Sequence, residues 1–242
     1  MQKALALLSV LCFLALQFVM AQPYDIVIKG GHVIDPKNNI DAVMDIAIAN
    51  GKIIQVANNV DTKQAAQVVD AKGLYITPGL IDMHAHVFFG TEPDHYLSNG
   101  LVAVAPDGFT FRVGVTTVVD AGGAGWKSFP EFKKNIIDNS QTRVFALLNI
   151  VGQGMRGGAY EQDVNDMDAK LSSIVAKQYK DFVVGFKVAH FSGPDWTPVD
   201  KAVEAGKLAN MPVMIDFGGN TPPLSIEELY MKHLRPGDIY TH

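Results

Sequence analysis

The chain has 242 residues, 48% of them hydrophobic and 19% charged, with 22 Gly and 12 Pro, a composition that excludes disordered, collagen-like and coiled-coil architectures. Its 25 acidic and 20 basic residues give a net charge of -5 without a basic block. That balance argues against nucleic acid or an anionic membrane as the main partner and for a small-molecule ligand.

The first segment reads as a secretory signal peptide over residues 1–21. Lys3 precedes an apolar run from Ala4 to Leu16, and Val19-Met20-Ala21 offers a small-residue cleavage pattern before Gln22. The run is short for a membrane span, so the expectation is export to a periplasmic or extracellular location with no stable membrane insertion after cleavage. Cys12 is the single cysteine and lies inside this segment. The mature chain would therefore have no disulfide, and its stability must come from a core or a metal.

Residues 22–78 carry β signals and are expected to form a small β-sandwich segment. Asp25-Ile26-Val27-Ile28 leads into Gly30-Gly31, and Asp45 to Ala49 faces Lys52 to Val56 across Asn50-Gly51, a strong hairpin signal. Gln67 to Asp70 then turns through Lys72-Gly73 into Leu74-Tyr75-Ile76, which predicts a third antiparallel pair. Thr77-Pro78-Gly79 breaks the pattern.

Over residues 79–242 short apolar strands alternate with helical stretches. The predicted strands are Leu80 to His86, Val115 to Asp120, Arg143 to Ile150, Phe182 to Val188, Val213 to Phe217 and Asp238 to His242. Ser128 to Glu131 and Ser225 to Glu228 read as capping boxes, and Thr197-Pro198 as an N-cap followed by Pro. Val164, Met167, Leu171, Ile174 and Val175 mark an apolar helix face. Strand starts recur at about the thirty-residue length of a βα unit. The fold class is thus α/β, a TIM-like (β/α) barrel with six of eight strands. Residues 79–242 fall well short of the roughly 250 that a complete barrel takes, and an open barrel would expose two sheet edges. The expectation is a fragment of a longer protein.

The chemistry sits at strand ends. His84-Ala85-His86 places two imidazoles on one face of a strand, which is how a strand offers two ligands to one metal; the tripeptide alone is equally compatible with ordinary polar strand residues. Its context, Thr77-Pro78-Gly79-Leu80-Ile81-Asp82-Met83-His84-Ala85-His86, resembles the first barrel strand of the amidohydrolase superfamily. The likeness extends through Tyr24 to Gly31, Gly114 to Gly122, Gly185-Phe186-Lys187 and Arg235 to His242. Within that superfamily the chain is most similar to the dihydroorotase-like amidohydrolase/deacetylase metallohydrolases.

The resemblance implies one or two divalent metals, usually zinc, at the carboxyl end of the barrel. It implies His84 and His86 as ligands, Lys187 as a carboxylated lysine whose carbamate bridges the metals, and His242 as a further histidine ligand. The physics of Lys187 agrees: a lone ammonium in a buried strand is costly, and the neutral amine it favours can take up carbon dioxide. A lysine that snorkels to the barrel mouth is the plain alternative.

Two departures from the family pattern stand out. The fifth strand ends on Asp216 where the family commonly has histidine, so either Asp216 supplies an oxygen ligand or His190, three residues after Lys187, supplies nitrogen; Asp216 could equally cap the turn that follows it. The family's catalytic aspartate falls beyond residue 242, so no catalytic residue is assigned within the chain. Gly152 to Gly158 is the best specificity loop, with Arg156 available for a substrate carboxylate or simply facing water. Asp120 reads as a turn or cap residue.

The implied activity is metal-assisted hydrolysis of carbon-nitrogen bonds other than peptide bonds, on a cyclic amide or N-acyl small molecule. The alternative is a barrel that binds a ligand or partner without turnover, as the Asp216 substitution would allow. Homo-oligomers are usual for such barrels, by resemblance only.

Overall fold

The structure is a computed structural model that describes residues 23–89, 103–216 and 218–241. The predicted signal peptide, Cys12 and His242 lie outside these residues, as does Phe217. The chain divides between Pro78 and Gly79 into two units. Among the described residues no helix is long and apolar enough to cross a membrane.

The N-terminal unit is one five-stranded mixed sheet built from β1 (Tyr24–Asp35), β2 (Ile40–Ala49), β3 (Lys52–Ala57), β4 (Ala65–Asp70) and β5 (Tyr75–Ile76). β2 and β3 form the predicted hairpin, with Ala49 opposite Lys52. Asn50 and Gly51 both take positive φ, 52° and 69°, as a two-residue hairpin turn that follows the strand twist requires. The third antiparallel pair does not form. β4 and β5 both run parallel to β1, because the Lys72-Gly73 turn is an excursion and not a reversal. Ala71 N still donates to Lys29 O, Leu74 N closes the turn on Ala71 O, and His32 N donates to Leu74 O. The bulge in β1 between Ile28 and Gly31 matches that excursion on the facing strand.

The second unit is a curled sheet of six parallel strands in sequential order: β6 (Leu80–Ala85), β7 (Val115–Gly125), β8 (Arg143–Asn149), β9 (Val183–Val188), β10 (Val213–Asp216) and β11 (Ile239–Thr241). All six match the predicted strands to within a few residues, and together they make a partial (β/α) barrel. Alternation along the strands sorts side chains into two layers. Val144, Ala146, Leu148, Phe186, Val213 and Ile215 join the large core with helix residues such as Phe129, Phe132, Ala202 and Val203. On the other face Ala121, Leu147 and Met214 form a small inner cluster.

Helices fill the connections at Phe129–Asn135, Ala159–Gln162, Ala169–Gln178 and Thr197–Ala209, and a short helix Ile226–Glu228 runs into a π turn, Leu229–His233. The Ser225 cap forms, its hydroxyl accepting from Glu228 N at 3.2 Å. Ser128 makes no such bond to its helix; its hydroxyl accepts instead from Gly125 N and donates to Gln153 O. Thr197 is not the cap but the first residue of its helix: its N–H is held by Asp195, and Trp196 takes the cap position.

The predicted apolar face of the fourth stretch holds in part: Met167 is buried and Val164 and Val175 pack against the core, but the two residues between them do not. Leu171 and Ile174 are 39% and 59% exposed, whereas Ala169, Ser172, Ser173 and Ala176 are buried. Asp168 accepts from Leu171 N and starts the helix there, which leaves Val164 and Met167 ahead of it and turns its small residues inward.

Candidate active site

His84 lies near the end of the first strand of the curled sheet and His86 immediately follows that strand. Strand alternation puts them on one face, with ring centroids 5.4 Å apart at 82°, and both are half-buried. His84 Nδ1 lies 3.3 Å from Thr241 Oγ1. This contact joins the two edge strands, β6 and β11, and so shows how far the sheet curls.

The segment just past His86 is fixed by Asp120, at 0% exposure. Its carboxylate accepts from Val87 N at 2.7 Å, Phe88 N at 3.3 Å and Gly123 N at 2.6 Å. Burial pushes this carboxyl up to about 6, against the downward pull of the same amides. The turn-or-cap reading of Asp120 therefore holds, with an added role: it ties the middle of β7 to the chain that carries His86.

Lys187 lies in β9 opposite Asn149 on β8 and Met214 on β10, so it faces the same side of the sheet as Asp216, two residues past Met214. It is 1% exposed. Its Nζ has no hydrogen-bond partner among the described residues and lies 3.9 Å from Asp216 Oδ2. Burial lowers its pKa to about 8 against the attraction of Asp216 and Asp120, so the neutral amine is far more accessible than in a surface lysine. Gly122 and Asn149 shape its surroundings, Asn149 Nδ2 donating to Gly122 O at 3.0 Å.

His190 follows β9. Its Nδ1 is 2.8 Å from Glu161 Oε2 and its Nε2 is 3.6 Å from Asp216 Oδ2. Lys187, Asp216 and His190 thus converge. Among the described residues no three His, Cys, Asp or Glu side chains sit close enough together to hold a metal; Lys187 lies beside the Asp216/His190 pair.

Arg156 lies over the Tyr160 ring, 5.5 Å from its centroid. The surrounding glycine-rich loop is tied down. Met155 is buried and its N–H donates to Gly122 O and Gly123 O, and Gly152 N donates to Asp166 O. A Cβ at Gly154 would come within 2.2 Å of Gly123 O, so the glycine permits a close backbone crossing and not simply a loose connection. Glu161 escaped the sequence reading: its neighbours show no motif, and nothing local announces that it pairs with a histidine 29 residues on.

A deacetylase of Agrobacterium fabrum is 32% identical over 183 residues, which cover 73% of this chain and 42% of that protein. A dihydroorotase of Geotalea daltonii is 44% identical over 87 residues, 36% of this chain and 20% of its own length. The crystal structure of a dihydroorotase superposes with a TM-score of 0.74 at 27% identity, covering 90% of this chain and 57% of that one. The chain belongs to the amidohydrolase superfamily. This amidohydrolase chain spans less than half the length of the curated relatives it matches. No protein-family model matches it.

Proposed function

We propose that the protein is an exported, metal-dependent hydrolase of carbon-nitrogen bonds other than peptide bonds, acting on a cyclic amide or N-acyl small molecule. The observation that carries this reading is Lys187: a fully buried amine with no hydrogen-bond partner, beside a carboxylate, at the carboxyl end of a barrel strand. An ammonium left in that state is unfavourable. An amine that bonds to carbon dioxide and releases one proton becomes a carbamate anion whose two oxygens suit divalent cations. The donor chemistry thus fits a metal, and zinc suits the mixture of imidazole nitrogen and anionic oxygen. His84, His86 and the Lys187 carbamate would hold it, with His242 as a further donor.

A bound divalent ion supplies a Lewis acid that polarises a carbonyl and acidifies water. The chain's own residues supply the setting. Asp120 fixes the turn after His86, Asn149 and Gly122 shape the space around Lys187, and the anchored glycine-rich loop carries Arg156, whose guanidinium has the chemistry to pair with a substrate carboxylate. Similarity to a deacetylase and a dihydroorotase supports the substrate class. The Lys3 and Ala4 to Leu16 segment with Val19-Met20-Ala21 supports export.

The test is metal analysis of the purified full chain, followed by hydrolysis assays on N-acetyl amino acids and dihydroorotate. Retained divalent metal and metal-dependent amide cleavage are expected. A protein that retains no metal and cleaves neither class after zinc is supplied sinks the reading.

A further inference from the structure

His190 is held in an unusual backbone state. Among the described residues four non-glycine residues have positive φ, and the other three are Asn39, Asn50 and Asn210. Asparagine tolerates the left-handed region, whereas histidine enters it at a cost that surrounding contacts must offset. Two consecutive side chains supply those contacts. Glu161, buried, takes the ring at Nδ1 and also accepts from Gly157 N at 2.9 Å. Gln162 Nε2 donates to His190 O at 2.8 Å, and its Oε1 accepts from Ser192 N and Ser192 Oγ. The result is an imidazole with a fixed orientation whose side chain is still 53% exposed and so open to an incoming ion.

With Nδ1–H donated to Glu161, the other ring nitrogen presents its lone pair to Asp216 Oδ2, itself an acceptor, at 3.6 Å. That distance is too long for a charge-assisted hydrogen bond. It matches two donors of one ion, since atoms each about 2.1 Å from a tetrahedral zinc lie about 3.4 Å apart. The same Asp216 oxygen is 3.9 Å from the buried, hydrogen-bond-lacking Nζ of Lys187.

We propose that His190 Nε2 and Asp216 are paired ligands for a divalent cation, with Lys187 as the third group on that face and Glu161 as the outer carboxylate that fixes the ring. A carboxylate behind a histidine ligand is the usual way its orientation and basicity are set. This inference rests on the metal-hydrolase reading above, and assigns to that site a nitrogen ligand from the β9 loop and an oxygen ligand from β10.

The experiment is equilibrium titration of metal-free full chain with cobalt(II) alone, following stoichiometry, affinity and the visible cobalt spectrum, for wild type, His190→Ala and Glu161→Gln. For His190→Ala we expect loss of one equivalent or an affinity drop of about 100-fold, with a shifted visible band because a nitrogen donor is gone. Glu161→Gln should weaken binding by about 10- to 100-fold while keeping the stoichiometry at saturation. Thermal melts of the metal-free proteins separate this from a folding defect, and Glu161→Gln, which exchanges one oxygen for an amide nitrogen, serves if His190→Ala fails to fold. Wild type that binds cobalt while both variants show unchanged affinity and spectrum overturns the inference alone, leaving His190 as a structural contact of Glu161. Wild type that binds no cobalt overturns the metal-hydrolase reading and the inference with it.

Discussion

Gly122 leaves the space that Lys187 fills: a Cβ built on residue 122 would lie 2.6 Å from Lys187 Cγ and 2.9 Å from its Cβ. Gly122 also has φ +93°, where other residues are strained. Gly122→Ala is therefore expected to push Lys187 out of its buried position and to cost ~2–4 kcal/mol, the sum of overpacking and backbone strain. Urea unfolding of the two proteins checks it. An unchanged midpoint would mean that Lys187 can move aside freely.

Asp120 is the strongest fixed point beside the histidine pair. Asp120→Ala would strand the buried amides of Val87 and Gly123, at a cost of about 3 kcal/mol. Asp120→Asn keeps an acceptor and should lose less. Amide hydrogen exchange distinguishes a local effect from a global one: Val87 and Gly123 should lose protection in Asp120→Ala before the strand amides of β8 and β9 do. Uniform loss across the sheet would contradict the local role.

The strands of the curled sheet were legible in the sequence because each is a short apolar run bounded by turn residues, and the HxH pair because strand alternation fixes its face. Where the reading went astray, longer-range contacts decide. The Lys72-Gly73 turn resembles a hairpin, but β1 offers it partners on both sides of a bulge, so the chain resumes parallel to β1. The stretch around Leu171 has apolar residues at helical spacing, yet the helix phase is set by the Asp168 cap and by how closely Ala169 and Ala176 let it approach its neighbours. Lys187 and His190 could be nominated from position alone. Glu161, Gln162 and Gly122 could not, since their importance lies in what they touch across 27 to 65 residues of chain.

Lys187 gives the cleanest separation of stability from function. Its ammonium is buried without a hydrogen bond, and at 3.9 Å from Asp216 Oδ2 the pairing is too long to offset its desolvation. Replacing Lys187 by the isosteric apolar stem in Lys187→Met should leave metal-free protein at pH 7 as stable as wild type, or more stable by ~1–2 kcal/mol. The same variant should retain less metal. Differential unfolding in chelator, paired with metal analysis without it, reads both. A marked destabilisation of the metal-free variant would show that the Lys187–Asp216 ion pair holds the fold together.

In the N-terminal unit the pH response is expected to come from Asp45. This carboxylate is nearly fully buried and accepts from Lys29 Nζ at 2.5 Å, Gly30 N at 2.9 Å and Val60 N at 2.9 Å. Burial alone would raise its pKa, but Lys29 and the two amides outweigh it and the carboxyl lies below its ordinary value of 3.8. The unfolded chain therefore binds the Asp45 proton first as pH falls. The stabilisation is complete above about pH 5 and is lost as pH drops through the folded value, below 3.8. Lys29 is partly solvent-exposed, which screens its share, so the whole arrangement is expected to contribute about 1–3 kcal/mol. Asp45→Asn should lower protection of the Gly30 and Val60 amides at pH 7 and flatten the acid dependence below pH 4. Equal acid dependence in wild type and variant would assign the response of this unit to other carboxylates.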